Sequence, residues 1–295
     1  MSDQTVHDLN DVTIIIVTYN SAHCLPELGR SLAQCPHIMV VDNGSDDGCA
    51  DAARQHLPDS KIIALPKNLG FGAANNLALH QVTTTFSLLL NPDCEITPAS
   101  ILALMHTAIA HPQAAIIAPQ LLHSDNSPDT NYRWPHLLWK SKGPAATHGP
   151  ACVGFVCGAT MLFRIKAFDV VGFFDEGFFL YYEDDDLCLR LFKAKRAMII
   201  DPAVTAVHRS RGSVKGKSPL KSEYVRGYHH AQSKLFFTAK HIHLEKAISK
   251  RKKLIFQTCL ALPLRMLLPS PRLVARMVGR LRGVIDWKPH ENQNS

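Results

Sequence analysis

No stretch of the 295-residue chain runs to roughly 18 uninterrupted apolar residues, so no segment has the length of a membrane-spanning helix. The first ten residues, Met1 to Asn10, are polar and acidic and lack an apolar signal-peptide core. The expectation is a cytoplasmic chain. Internal repeats and low-complexity tracts are also missing, and the composition argues against a wholly disordered, collagen-like or coiled-coil chain. Among eight cysteines the one close pair, Cys152 and Cys157, has no second pair to complete a zinc site. All eight are expected as thiols. Acidic residues become scarce late in the chain. Through Val207 there are 21 Asp and Glu against 13 Lys and Arg, whereas from His208 onward there are 4 against 19. A basic tail on an acidic body calls for an anionic partner. The tail alternates charge with aliphatic rather than aromatic residues and has no RNA-binding signature, so a nucleic acid is not expected.

What is present is ordinary globular composition, 46% hydrophobic and 19% charged. Short apolar runs alternate with helical spacings. Val12 to Thr18, Ile38 to Val41, Lys61 to Leu65, Phe86 to Leu90 and Ala114 to Ala118 read as strands. Ser21 to Gln34, Asp46 to His56, Phe71 to His80 and Pro98 to Ala110 read as helices between them. Ala159 to Ile165 and Met198 to Val207 read as further strands with an acidic helix between them. The alternation implies an α/β fold with a mostly parallel sheet flanked by helices, which binds ligands at the carboxyl ends of its strands. Residues 123 to 150 carry four prolines and the aromatics Tyr132, Trp134 and Trp139, and read as a long loop that could cover such an edge.

Three polar clusters fall just past strands on that edge: Tyr19-Asn20, Asp42-Asn43-Gly44-Ser45 and Asn91-Pro92-Asp93. A carboxylate at Asp42 can accept the imide N–H of a pyrimidine base, or simply close an Asx turn. Asp93 can ligate a hard divalent cation or simply form a turn, and His208, at the end of a strand, can serve as a second ligand, more natural for manganese than for magnesium, or as a structural imidazole. Glu183 to Asp186 place four carboxylates at a helix start, where the macrodipole favours negative charge. Flanking aromatics Phe178, Phe179, Tyr181 and Tyr182 suit a sugar-sized pocket in which one carboxylate acts as general base.

The series VTYN, DNGS, NLGFGAANN, NPD and GFFDEGFFLYYEDDDLCLR, in this order over about Val12 to Lys240, resembles family 2 glycosyltransferases of the GT-A fold. It is most similar to their bacterial rhamnosyltransferase-like branch. The resemblance implies a GT-A domain over 10–245, and the chain beyond it reads from its charge and spacing as a basic helical extension over 246–295. It implies nucleotide-sugar contacts at Thr18, Tyr19, Asn20, Asp42, Asn43, Asn68, Gly70, Phe71, Asn75, Asn76 and Asn91, with Asn91 standing where relatives carry an Asp. It implies Asp93 and His208 as ligands of Mg2+ or Mn2+ and Asp184 as the base, with the register inside Glu183–Asp186 left open. The implied reaction is inverting transfer from a nucleotide diphosphate-sugar, with dTDP-rhamnose first in line, to a saccharide acceptor that is lipid-linked, in cell-surface polysaccharide synthesis. A UDP-hexose donor, or a non-catalytic protein that binds sugar nucleotides or membranes, is the alternative. A sugar nucleotidyltransferase would need a Gly-rich basic loop after the first strand, and YNSAHCL is not one.

The tail bears on where the acceptor lies. Ser249 to Lys253 is basic and Leu254 to Leu268 is apolar but interrupted. Pro271 to Trp287 reads as a helix with Leu273, Val274, Met277, Val278, Leu281 and Ile285 on one face and Arg272, Arg276 and Arg280 opposite. Ending in an interfacial Trp287, it suits an anionic membrane surface, and the expected location is peripheral, on the inner face of the plasma membrane. Its apolar face could instead pack on the catalytic domain.

Overall fold

The β-branched run Val12–Thr18 forms β1, buried along nearly its whole length as a strand covered on both faces must be. In this computed structural model the described residues are 8–130, 132–133, 147–209, 218–267 and 270–289. Two compact units divide the chain, the first comprising Met1–Asp175 and Asp184–Lys215, the second Glu176–Glu183 and Gly216–Ser295.

In the first unit β1 is flanked by β2 (Ile38–Asp42) and β4 (Phe86–Leu90), both parallel to it, and β3 (Lys61–Ala64) extends the parallel set beyond β2. β9 (Thr160–Arg164) enters antiparallel between β4 and β6 (Ala114–Leu122). β10 (Ala197–His208) runs parallel to β6 and is edged by the antiparallel β5 (Cys94–Glu95) and β8 (Ala151–Val153), while β7 (Pro128–Asp129) pairs with β6. Two antiparallel steps, β4 to β9 and β9 to β6, restore the original direction. The carboxyl ends of β1, β2, β4 and β10 and the start of β9 therefore lie on one edge.

Sequence expectations and structure differ in ways that local chemistry explains. The helix expected from Ser21 is a 3-10 turn, Ala22–Cys24, followed by α1 (Leu25–Ser31), with Pro26 in the first turn. α2 (Cys49–His56) starts three residues later than expected because Asp47 spends its carboxylate on the N–H groups of Ala22, at 2.9 Å, and Cys49, at 3.2 Å. α3 (Phe71–Leu79) and α4 (Pro98–Ala110) fall where the periodicity puts them. β6 runs on through Pro119 to Leu122, and the register against β10 slips beside that proline, which has no N–H to give. The core packs Ile14, Ile16, Leu88 and Leu90 of the sheet on Leu28 of α1 and Ile101, Leu104 and Met105 of α4. α5 (Glu183–Lys193) is the acidic helix.

In the second unit α6 (Pro219–His241), α7 (Leu244–Met266) and α8 (Pro271–Asp286) pack together. A Cβ on Gly227 would lie 2.0 Å from the carbonyl oxygen of Arg276, and one on Gly279 the same distance from that of Tyr224, so α6 and α8 approach backbone to backbone. This is why the division falls after Lys215 rather than at 245: α6 belongs with the helices of the tail. Trp287, expected at an interface with lipid, is instead 3% exposed in the small core with Ala231, Leu235, Ala247 and Val284, and this corrects the sequence reading. The apolar side chains Leu273, Val278 and Ile285 of α8 remain exposed, because the helix turns its glycines, not that face, toward α6. Among the described residues no helix is long and apolar enough to cross a membrane.

Candidate active site

The ends of β1 and β2 are locked together. Thr18 is paired with Asp42 across the strands, and the N–H of Asn43 donates to the Thr18 carbonyl at 2.8 Å. Asn20 takes a left-handed backbone, φ 54°, a region that tolerates Asn, and its N–H donates to Ser45 Oγ at 3.0 Å. Tyr19 beside it is partly exposed. Asp42 is buried, and its Oδ1 accepts the Ser45 N–H at 3.1 Å. The Asx turn is therefore real, and it fixes the carboxylate at the sheet edge. Gly44 has φ 74°, and a Cβ there would strike the backbone of Lys67 at 2.5 Å. The glycine of DNGS thus lets the 67–70 segment pass beneath. That segment is tied down by Asn43, whose Nδ2 donates to Asn68 Oδ1 and to the Gly70 carbonyl, each at 3.1 Å, while its Oδ1 accepts from Leu69 N–H at 2.8 Å.

Gly70 caps α3 and Phe71 opens it. Asn75 Nδ2 bonds back to the Phe71 carbonyl at 2.9 Å. Asn76 spends both ends of its amide on the backbone of Phe174, at 2.9 and 3.1 Å, and so acts as a tie that holds the 174 segment to α3. Phe71 meets Phe174 edge to face at 5.8 Å.

At the end of β4 the Asn91 N–H donates to the Ala159 carbonyl at 2.9 Å, joining the NPD turn to the start of β9. Asp93 is buried, and its Oδ1 lies 3.7 Å from Nε2 of His208, brought there by the β10–β5 pairing. Cys94, opposite His208 in register, completes a group of three whose ligand atoms lie within 4.8 Å of one another. A carboxylate, an imidazole and a thiol at this spacing fit a divalent transition ion. Burial pushes the Cys94 thiol well up, so its conversion to a thiolate ligand is costly and the Asp–His pair is the stronger part of the set.

The four acids at the start of α5 separate into different roles. Asp186 is fully buried and accepts from Arg190 Nε at 2.7 Å, and Arg190 also holds the carbonyls of Val171, Gly172 and Phe173. Asp185 pairs with Arg133 at 2.9 Å. Asp184 accepts only main-chain N–H groups among the described residues: Gly158 on Oδ2 at 3.3 Å and Asp185 on Oδ1 at 2.9 Å. Burial, reinforced by the charge of Asp185, pushes its carboxyl up to about 7. Glu183 belongs to the second unit. A Cβ on Gly158 would stand 3.5 Å from the Phe71 ring and 3.7 Å from Asp184 Cβ, so the residue at the head of α3 and the acid on α5 flank the same glycine.

Within the second unit, Tyr181 and Tyr182 both hold left-handed backbone angles, φ 68° and 69°. Strain of this kind is sustained only where packing over-determines it. Both rings pack on His230, and Ser233 Oγ bonds the Leu180 carbonyl at 2.9 Å. Phe178, expected to face a sugar, is a fully buried side chain packed on Phe236. Sequence reasoning missed Arg133, Gly158 and Cys94. Only Cys94 carried a signal, its position directly after NPD.

Residues 13–172 match the Glycosyl transferase family 2 profile. The chain is 28% identical over 265 residues to the N-acetylglucosaminyl-diphospho-decaprenol L-rhamnosyltransferase of Mycobacterium tuberculosis, covering 77% of this chain and 84% of that protein. It is 29% identical over 192 residues to the low-salt glycan biosynthesis hexosyltransferase Agl10 of Haloferax volcanii, covering 62% of each. Among solved structures, the mannosyltransferase PcManGT of Pyrobaculum calidifontis, in complex with GDP-Man and Mn2+, superposes with a TM-score of 0.55 at 17% identity, covering 94% of this chain and 87% of that one. TarS 1–349 of S. aureus superposes with a TM-score of 0.53 at 15% identity, covering 93% and 90%. The fold is that of the GT-A glycosyltransferases, a central sheet flanked by helices.

Proposed function

Because the chain belongs to glycosyl transferase family 2, we propose that it is an inverting, metal-dependent hexosyltransferase that moves a sugar from a nucleotide diphosphate-sugar to a saccharide acceptor. The observation that carries the reading is the environment of Asp184: a half-buried carboxylate whose hydrogen bonds among the described residues come from main-chain N–H groups, beside the glycine that Phe71 flanks on its other side, with desolvation and the charge of Asp185 pushing its carboxyl up. A base poised near working pH is what proton removal from a hydroxyl needs.

The donor lies along the sheet edge. Its base rests at Asp42 and the Tyr19–Asn20 turn, and its sugar near Gly70, Phe71 and Asn75, with Asn43 and Asn68 holding that floor in place. From the end of β2 to that of β4 is two strand spacings, roughly 10 Å, a span that a nucleoside diphosphate bridges. Asn91, Asp93 and His208 sit where the diphosphate ends. Asp93 and His208, with Cys94 adjacent, would hold Mg2+ or Mn2+, which supplies Lewis-acid stabilisation of charge on the leaving diphosphate. Asp184 takes the acceptor's hydroxyl proton while that oxygen bonds to the anomeric carbon. The bond from that carbon to the diphosphate oxygen breaks in the same displacement, and the nucleoside diphosphate leaves with the electron pair.

The M. tuberculosis relative, an L-rhamnosyltransferase, favours L-rhamnose as the sugar here, with dTDP-rhamnose as its donor by the sequence resemblance, and the decaprenol-linked acceptor in that relative's name favours a lipid-linked one. A lipid-linked acceptor places the enzyme at the inner face of the plasma membrane in envelope polysaccharide synthesis. Residues 246–295 supply a surface for it. Phe256, Leu260, Leu264, Met266 and Leu267 of α7's second half and the segment after it stand exposed, Leu267 at 82%, with Lys252, Lys253 and Arg265 among them. Apolar side chains set among cations fit an anionic bilayer.

The test is a donor screen that measures release of dTDP, UDP or GDP from each sugar nucleotide with Mn2+ or Mg2+ present. Release from dTDP-rhamnose above all others supports the reading. Preference for a UDP-hexose keeps the mechanism and replaces the sugar. Release from none, with binding retained, makes the protein a non-catalytic binder.

A further inference from the structure

Asp185, immediately after the base, is held by one cation. Arg133 Nη1 stands 2.9 Å from its Oδ1, and the two side chains are only 19% and 15% exposed. The arginine is fixed from three directions. Its guanidinium lies 3.6 Å from the centre of the Phe155 ring. Its N–H donates to the Phe155 carbonyl at 3.2 Å, and its own carbonyl accepts from Gly154 at 2.8 Å. Three residues beyond Phe155, Gly158 donates its N–H to Asp184 Oδ2. The segment 154–158 thus anchors both the cation that faces Asp185 and the amide that grips Asp184.

We propose that Arg133 is a positioning residue for sugar transfer: by neutralising Asp185 it allows the adjacent Asp184 to ionise and act as base at neutral pH. The proposal rests on Asp184 being that base. Without Arg133, two neighbouring carboxylates would share a buried site, and the second would ionise only at higher pH. The other groups around Asp184 do not substitute for the arginine. Asp186 is occupied with Arg190, and Cys188 is a buried thiol hydrogen-bonded to the Val156 carbonyl and held neutral. Burial of Asp184 acts in the same direction as Asp185, and Arg133 acts against both.

The experiment uses the full chain with dTDP-L-rhamnose, or the sugar nucleotide returned by the screen, and follows transfer or donor hydrolysis from pH 5.5 to 9. Arg133→Gln is expected to move the acidic limb of the rate profile up by about one pH unit, roughly a tenfold loss below the limb that is recovered at high pH. Arg133→Lys restores most of the shift. Asp185→Asn moves the limb down, and the double variant Arg133→Gln/Asp185→Asn returns it to near the wild-type position. Equal loss at every pH for Arg133→Gln overturns the proposal, as does a double variant that still behaves like Arg133→Gln. If Arg133→Gln does not fold, Asp185→Asn decides alone, and an unmoved limb refutes. Asp184→Asn separates the two readings. If it keeps its turnover, the base assignment fails; if it is inactive while Arg133→Gln has a wild-type profile, only the role of Arg133 fails.

Discussion

Nε2 of His208, at the end of β10, lies 3.7 Å from Oδ1 of Asp93, just past β4, and the two-residue strand β5 sets that distance by pairing Cys94 with His208. The pair is expected to bind Mn2+. Asp93→Asn and His208→Ala should each weaken Mn2+ binding, measured by titration calorimetry, by on the order of tenfold or more. Cys94→Ser should change it far less, because the buried thiol resists ionisation. A Cys94→Ser loss equal to that of Asp93→Asn would make the thiolate a full ligand.

Asp184→Asn is expected to cut transfer by on the order of 10²–10⁴ while leaving nucleotide affinity nearly unchanged. Wild-type activity should rise with pH through about 7, where the carboxyl loses its proton. Stability runs the other way. The folded-state value is raised above the unfolded one, so the contribution of Asp184 is fully present below about pH 4 and is lost as pH climbs through about 7. The thermal advantage of Asp184→Asn over wild type should therefore grow from pH 4 to 7 and level off above. A constant difference in Tm across that window would contradict the raised value.

Arg190→Met should destabilise the first unit by about 3–5 kcal/mol in urea denaturation, since it strands the buried charge of Asp186 and releases three carbonyls of the 171–173 segment. A change under about 1 kcal/mol would mean that the ion pair and the 171–173 carbonyl contacts contribute little to stability.

Leu260→Glu/Leu264→Glu on α7 is expected to abolish co-sedimentation with phosphatidylglycerol vesicles, with donor hydrolysis in solution unchanged. Vesicles of phosphatidylcholine alone should bind the wild type weakly, because the cations around the patch then have no counter-charge. Undiminished sedimentation of the double variant would refute docking through α7.

Much of the sheet was legible because its central strands are almost wholly buried and read as unbroken apolar runs: VTIIIVT, IMVV and FSLLL each fall on a strand. The motif residues past those strands were legible because a parallel sheet collects such ends on one edge. The separation of Asp184 from Asp185 was not, since it depends on Arg133 and Gly158, which are far from them in sequence and carry no pattern of their own. Helix α8 shows a different limit. Its apolar stripe was plain, but the face it buries is chosen by Gly279 and Gly283 against Gly227, Tyr224 and Tyr228, and a lack of side chains does not register in a hydrophobic pattern.

The second unit takes its chain from two places, Glu176–Glu183 and the three terminal helices, and the strained pair Tyr181-Tyr182 is braced by His230 of α6. Cutting the protein at residue 245 would strip α6 of the glycine-faced partner it is built against, so the test of vesicle binding needs point substitutions on α7 rather than deletion of the tail. The same construction couples two stretches in descent: the eight residues that lead into α5 and the terminal helices must change together, or the bundle that holds both comes apart.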